Sequence, residues 1–243
     1  MKQELTAVDG RSVLRMERRL RHAPERVWPA LTEPARLADW FPAGVQLDLR
    51  PGGAVTFTQE GVPALSGVVT DLEPPRLIAF TWGADHLRFE LCPDGDGCVL
   101  LLTHTFDDRA GAASFAAGWH TCIVALELAL DGRPGVDPGV DHRGLHERYL
   151  AELGLLDAVA TDTAEGWEVR VERQLVHPED VVRAALPDAP GHCELGPGTG
   201  HGARLRCVRC GPRGTEVERD RAFVELPAAV ATWLDRLPVA QDA

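Results

Sequence analysis

The chain has 243 residues, 44% of them hydrophobic, and a formal charge of -12. That is enough for one large domain or for a domain with a smaller companion. The acidity, with basic residues scattered among acids, excludes a nucleic-acid backbone as partner, and six cysteines in so long a chain do not make a disulfide scaffold, so reduced thiols are expected.

The opening stretch "MKQELTAVDGRSVLRMERRL" contains no apolar segment of the signal-peptide kind. No apolar run reads as long enough to span a bilayer, and a cytoplasmic location is expected. Alternation begins at Val13 and runs to Arg21, with Leu14, Met16 and Leu20 on one side, which predicts a strand. "HAPERVWPALTEP" then sets Pro24 at a helix start and Pro34 beyond its end, with Val27, Trp28 and Leu31 on one face. A short second helix, "ARLADWF", stops at Pro42.

From Gly44 to Phe106 the pattern is strand, turn, strand. Turns fall at Pro51-Gly52-Gly53, Pro74-Pro75 and Asp94-Gly95-Asp96-Gly97, connections short enough to require antiparallel pairing. "AGAASFAAGWHTCIVALELALDG" predicts about six helical turns, with Phe115, Trp119, Cys122, Ile123 and Leu126 as the buried stripe and Gly132 as the stop. "CVLLLTHT" is apolar on both faces, so its outer face is expected to meet another domain or a partner. A further helix, "GLHERYLAELG", is placed at the end of this domain near Gly154.

The second half begins as the first does. Laid ungapped from Arg15 and Arg170, the two stretches agree at eight of seventeen positions, against about one expected by chance. "ARLRCVRCG" predicts a strand and "VELPAAVATWLDRL" a closing helix, whose "TWLDRL" can be laid over "TCIVAL". The C-terminal part therefore reads as a shortened copy of the first with its middle strands removed. It is too small to enclose a cavity alone, and is expected to pack on the first part or to mediate self-association. The expected division is a domain at 12–154, a linker at 155–165 and the copy at 166–240.

"LRHAPERVWPALTEPARLADWF", "RPGGAVTF", "VVTDLEPPRLIAFTW", "LLLTHTF" and "AAGWHTCIVALELAL" occur in the order found in the SRPBCC, or START-like, superfamily. Within it, residues 12–153 most resemble the bacterial branch of the activator-of-heat-shock-protein-90-ATPase homologue family. "HCELGPGTGHGARLRCVRC" resembles a late hairpin of the same family. The resemblance implies an α+β helix-grip fold, a curved antiparallel sheet around a long C-terminal helix. It does not fix an activity, because the superfamily includes lipid, steroid and polyketide binders as well as enzymes. The eukaryotic namesake stimulates a chaperone ATPase but carries an N-terminal domain not matched here.

Such a fold keeps its cavity between sheet and helix. Phe57, Phe80, Trp82, Phe89, Phe106 and Trp119 are the candidate lining residues, with His104 and His120 as the candidate polar contacts. Each aromatic taken singly is better explained as core filling. His104 is a possible acid or base, but no local residue supplies the positioned partner that catalysis needs, so no catalytic residue is assigned. His86, Arg88 and Glu90 are expected on a solvated outer face.

Metal chemistry is weighed at His192, Cys193, His201, Cys207 and Cys210. Cys207 and Cys210, three apart on a strand, point to opposite faces and cannot chelate as a pair. Cys92 and Cys98 flank a turn that could set them face to face, and they are expected to be thiols. His142 and His146 are four apart on a helix and are read as surface residues. No metal and no cofactor is therefore expected, and "GPGTGHG" is a turn rather than a phosphate loop. The leading expectation is a non-catalytic protein holding a small hydrophobic or amphipathic molecule. A polyketide cyclase or dehydratase-like enzyme and a chaperone-associated interaction module are the alternatives, with homodimerisation possible in each.

Overall fold

The computed structural model describes residues 1–135, 139–198 and 203–238. The chain separates into two units: residues 1–109 with 115–142, and residues 110–114 with those from 143 onward.

Unit 1 opens with a hairpin, β1 (Lys2–Val8) and β2 (Arg11–Leu20), turning at Asp9-Gly10 where both residues have positive φ. That is the backbone a two-residue hairpin turn demands. Helices α1 (Pro24–Thr32) and α2 (Pro34–Leu37) follow, then β3 (Gly44–Leu47), β4 (Ala54–Gln59), β5 (Val62–Glu73), β6 (Leu77–Trp82), β7 (Asp85–Asp94) and β8 (Gly97–Phe106). They form one antiparallel sheet in the order β1-β2-β8-β7-β6-β5-β4-β3. The long helix α3 (Ala112–Leu130) closes the unit, and Gly132 ends it at φ 77°, with Arg133 N–H donating back to the Leu128 carbonyl.

Side-chain alternation decides what lies inside. Leu14, Met16 and Leu20 of β2, Leu87, Phe89 and Leu91 of β7, and Leu100, Leu102, His104 and Phe106 of β8 are all buried on one face. At Gly67 on β5 an added Cβ would lie 1.9 Å from the Thr81 carbonyl oxygen, so the strands approach there only because no side chain intervenes.

Unit 2 contains α4 (His142–Glu152) from Arg143 on, then β9 (Val159–Asp162), β10 (Gly166–Gln174), α5 (Glu179–Ala185), β11 (His192–Pro197), β12 (Ala203–Pro212) and α6 (Glu216–Leu234). Its sheet runs β11-β12-β10-β9. Its core is built from Val169, Val171, Leu175, Val182, Leu205, Cys207, Leu226 and Val230.

The α+β helix-grip expectation holds for unit 1. Several finer expectations do not. The first strand precedes residue 12, because the polar "KQELTAV" gains order from pairing with β2 rather than from burial. The expected linker contains β9, an exposed strand held by β10. Helix α4 groups with unit 2. Helix α3 has 19 residues, about five turns, and Phe115 and Cys122 of its expected stripe are only partly buried. Arg109–Leu130, with mean hydropathy 1.4, does meet the length and composition of a bilayer-crossing helix. In the fold it packs through Trp119, Ile123 and Leu126, which are buried. Thr121 lies midway along α3 but Thr232 in the last turn of α6, so those two stretches are not equivalent.

The cysteines also differ from expectation. Cys193 and Cys207 stand directly opposite across β11 and β12 and form a disulfide. Cys92 does not face Cys98: the register sets Pro93 opposite Cys98, leaving Cys92 exposed and Cys98 buried. Cys210 is exposed while Cys207 is buried, in line with their opposite faces.

Candidate functional site

The space between the unit 1 sheet and α3 is a layer of aromatic rings. β4 supplies Phe57, β6 supplies Phe80 and Trp82, β7 supplies Phe89 and α3 supplies Trp119, all but Trp82 fully buried. Alternation on the strands turns each ring to the same face. Phe57 stacks on Trp82 at 5.1 Å, Phe80 lies 6.0 Å from Phe89, and Trp119 meets Phe89 edge-on at 6.0 Å and Trp82 at 6.4 Å. These spacings and tilts are those aromatic pairs prefer.

Two further rings come from the segment after α2. Trp40 donates its Nε1–H to the Ala30 carbonyl at 2.8 Å, which ties the segment to α1. Phe41 reaches Trp82 at 5.3 Å, Trp119 at 5.7 Å and Phe57 at 6.2 Å. Phe41 also lines a cavity of about 310 Å³ with Ala38, Pro42, Ala43, Gly44, Thr58 and Gln59. One ring thus separates this cavity from the aromatic layer. A second cavity, about 410 Å³, lies between α1 and the end of α3 beside Arg26 and Arg36.

The polar centre of the layer is His104, 2% exposed. Trp119 Nε1–H donates to His104 Nδ1 at 3.1 Å, and His104 Nε2 lies 2.9 Å from Asp85 Oδ2. Indole nitrogen is only a donor, so Nδ1 accepts and Nε2 carries the proton given to Asp85. Register explains the second contact: Leu87 stands opposite His104 on β8, and Asp85 lies two residues away along the same face of β7. Phe106 at 4.8 Å and Phe115 at 4.6 Å pack on the same imidazole.

Of the eight candidate residues, Phe57, Phe80, Trp82, Phe89 and Trp119 share one ring network. His104 and Phe106 adjoin it through Trp119 and Phe115. His120, next to Trp119, is half-buried. Trp40, Phe41 and Asp85 were missed. Trp40 and Phe41 sit in "ADWFP", whose helical look hid their role, and Asp85 is found only once the strand register is known.

The outer face of β7 is charged but not simply solvated. Arg88 bonds Asp71 at 2.8 Å and Glu90 at 2.7 Å, and His86 meets Thr70 Oγ1 at 2.8 Å. Burial, followed by the nearby Arg88, lowers the His86 pKa. Burial pushes the Cys98 thiol up to about 11 and the Cys122 thiol to about 12, so neither is a nucleophile at neutral pH. Among the described residues no group of three or more His, Cys, Asp or Glu could hold a metal. His201 lies outside the described residues. His146 is not a surface residue: it is buried while His142 is exposed.

Comparison with known proteins follows the fold. A conserved protein of unknown function from Enterococcus faecalis, EF2215, superposes with a TM-score of 0.56 at 19% identity, over 62% of this chain and 90% of that one. CalU16 from Micromonospora echinospora superposes with a TM-score of 0.50 at 25% identity, over 62% of this chain and 92% of its own. No curated protein matches the chain. Unit 1 is thus a helix-grip domain of the SRPBCC type. More narrowly, residues 21–131 match the family model described as Activator of Hsp90 ATPase homolog 1-like protein.

Proposed function

We propose that unit 1 holds a small apolar or amphipathic molecule between its sheet and α3, admitted past Phe41. The observation that carries this is the position of Phe41, one ring between a surface cavity of about 310 Å³ and the aromatic layer. Rotation of that ring joins the cavity to the layer. His104 and Asp85 then offer the polar contact that orients a ligand. His104 acts as a positioning group, because Trp119 occupies the nitrogen a base would use. A cyclase or dehydratase reaction would need Trp119 to swing away first.

The test is titration of the full chain with a lipophilic, environment-sensitive dye, alongside native and denaturing mass spectrometry. One saturable site per chain is expected, with Phe41→Ala changing the association rate at least tenfold while the fold is kept. Failure of both proteins to bind saturably overturns the proposal. The native mass also gives the subunit count and so tests homodimerisation.

The family description favours a second reading, contact with a heat-shock protein 90-type chaperone. It requires a changed ATPase rate when the full chain is added to such a chaperone, and an unchanged rate rejects it. We further infer that unit 2 is a shortened copy of unit 1. In support, β9-β10-β12-β11 repeats the order β1-β2-β8-β7, and α5 and α6 follow β10 and β12 as α1 and α3 follow β2 and β8.

A further inference from the structure

Unit 2 contains a buried polar cluster that the proposed function does not use. Arg173 on β10 and His177 after it are 4% and 5% exposed, and His146 on α4 is 1% exposed. Arg173 Nη2 donates to Glu147 Oε1 at 2.5 Å, and Arg143 Nη2 lies 3.3 Å from His177 Nε2. Glu147 Oε1 is also 3.8 Å from His146 Nδ1, too far for a hydrogen bond. Both nitrogens of His146, Nε of Arg173 and Nδ1 of His177 have no hydrogen-bond partner. Buried polar atoms of this kind are rarely left unmatched.

The equivalent place in unit 1 shows what is missing. The overlay that pairs Arg15 with Arg170 pairs Arg18 with Arg173 and His22 with His177. Arg18 donates to Glu127 at 2.6 Å and His22 meets Asp131 at 3.1 Å, two carboxylates one helical turn apart. In unit 2 the facing groups come from α4 rather than from α6, the helix placed as α3 is, and they are Glu147 and Arg143, also four apart. At His177 a guanidinium stands where His22 meets an acid. Unit 1 sets Arg18 and Arg21 against two carboxylates, whereas in unit 2, among the described residues, Arg173 is bonded to Glu147 and Arg143 meets His177. Asp235 adds only an opposing field at His177. Arg143 and Glu147 are half-buried, so the cluster can be reached from solvent.

We propose that Arg143, His146, Arg173 and His177 form a binding site for a small oxyanion of phosphate size, free or as the head of a phosphomonoester. Arg173 with its unmatched Nε–H, a second guanidinium and two imidazoles suit such an anion, which accepts several hydrogen bonds at once.

The experiment is thermal unfolding of the full chain in inorganic phosphate, phenyl phosphate or chloride at matched ionic strength. Saturable stabilisation is expected, about 3–6 °C at tenfold saturation. A rise with phosphate alone assigns the free ion, and a rise with phenyl phosphate assigns the esterified head. Arg143→Glu, which supplies a second carboxylate beside Glu147, is expected to be stabilised in chloride and unresponsive to either phosphate. Arg143→Gln removes the response without adding a carboxylate, and its circular dichroism checks the fold. No saturable rise in the native chain, or an equal rise in Arg143→Glu, overturns the proposal.

Discussion

The two units build different interiors on one strand order. Follow the register from Met16 to Leu102 to Phe89 in unit 1, and from Val171 to Cys207 to Cys193 in unit 2. The place of a phenylalanine that supports α3 is taken by half of a disulfide. In unit 2, α6 lies directly on β10 and β12 over small residues such as Val169 and Val171. In unit 1, α3 reaches its sheet through large side chains, Trp119 to Phe89 and His104, and Phe115 to Phe106. The strands present only in unit 1, β3 to β6, supply Phe57, Phe80 and Trp82. What decides whether this strand order closes on itself or keeps an aromatic interior is thus the presence of β3 to β6 and the size of the residues facing the helix.

The most damaging way to break that contrast is Phe89→Ala. It removes a ring touching Trp40, Phe80 and Trp119, and should cost about 3–5 kcal/mol in chemical denaturation. A loss no larger than that of an exposed position would mean the layer does not support α3. Next is the disulfide. With Cys193 and Cys207 separated by 14 in sequence, Cys193→Ser should cost about 3 kcal/mol, confined to the unit 2 transition. An unchanged transition under non-reducing conditions would show that unit 2 does not need its cross-link.

Trp119→Phe sharpens the comparison further. It keeps a ring but leaves His104 Nδ1 without its donor, for about 1–2 kcal/mol. Nitrogen NMR of the native protein should find Nε2 protonated and Nδ1 not, and the opposite tautomer would sink the assignment. The smallest effect is in acid. Burial opposes the charge on Glu147, but the neighbouring His146 and the hydrogen-bonded Arg173 hold its carboxyl down to about 2. A depressed carboxyl stabilises fully above its unfolded pKa, about 4.3, and that contribution fades as pH falls toward 2. Half exposure of the side chain keeps the effect small. Glu147→Gln should flatten the stability curve between about pH 4.5 and 2, and parallel curves would remove Arg173 and Glu147 as a coupled pair.

Much of this contrast was legible in the sequence. The alternation of Leu14, Met16 and Leu20, the three turn signals and the overlay of Arg15 on Arg170 gave the strands and the repeated opening. Residues whose role depends on pairing were not legible. β1 and β9 are polar or fully exposed and owe their order to a neighbouring strand. α6 begins with the charged "EVERDR", which shows no apolar stripe. Cys193 and Cys207 bond because of a register no spacing rule reveals. Asp85 and Trp119, partners of His104, are 19 and 15 residues away from it. Phe41 belongs to a loop whose destination only the fold determines.

The aromatic layer gives the molecule a built-in optical reporter. Trp82 and Trp119 lie 6.4 Å apart, with Phe41, Phe57 and Phe89 packed around them. Indoles held this close in a fixed, chiral arrangement couple their electronic transitions, which adds an exciton band to the ultraviolet circular dichroism. In unit 2, Trp167 is tied to Thr215 at 2.9 Å outside any such ring array, and it should contribute ordinary fluorescence without that band. A guest slipping between Trp82 and Trp119 would weaken the coupled signal while leaving the peptide region of the spectrum unchanged. Occupancy could then be followed without a label.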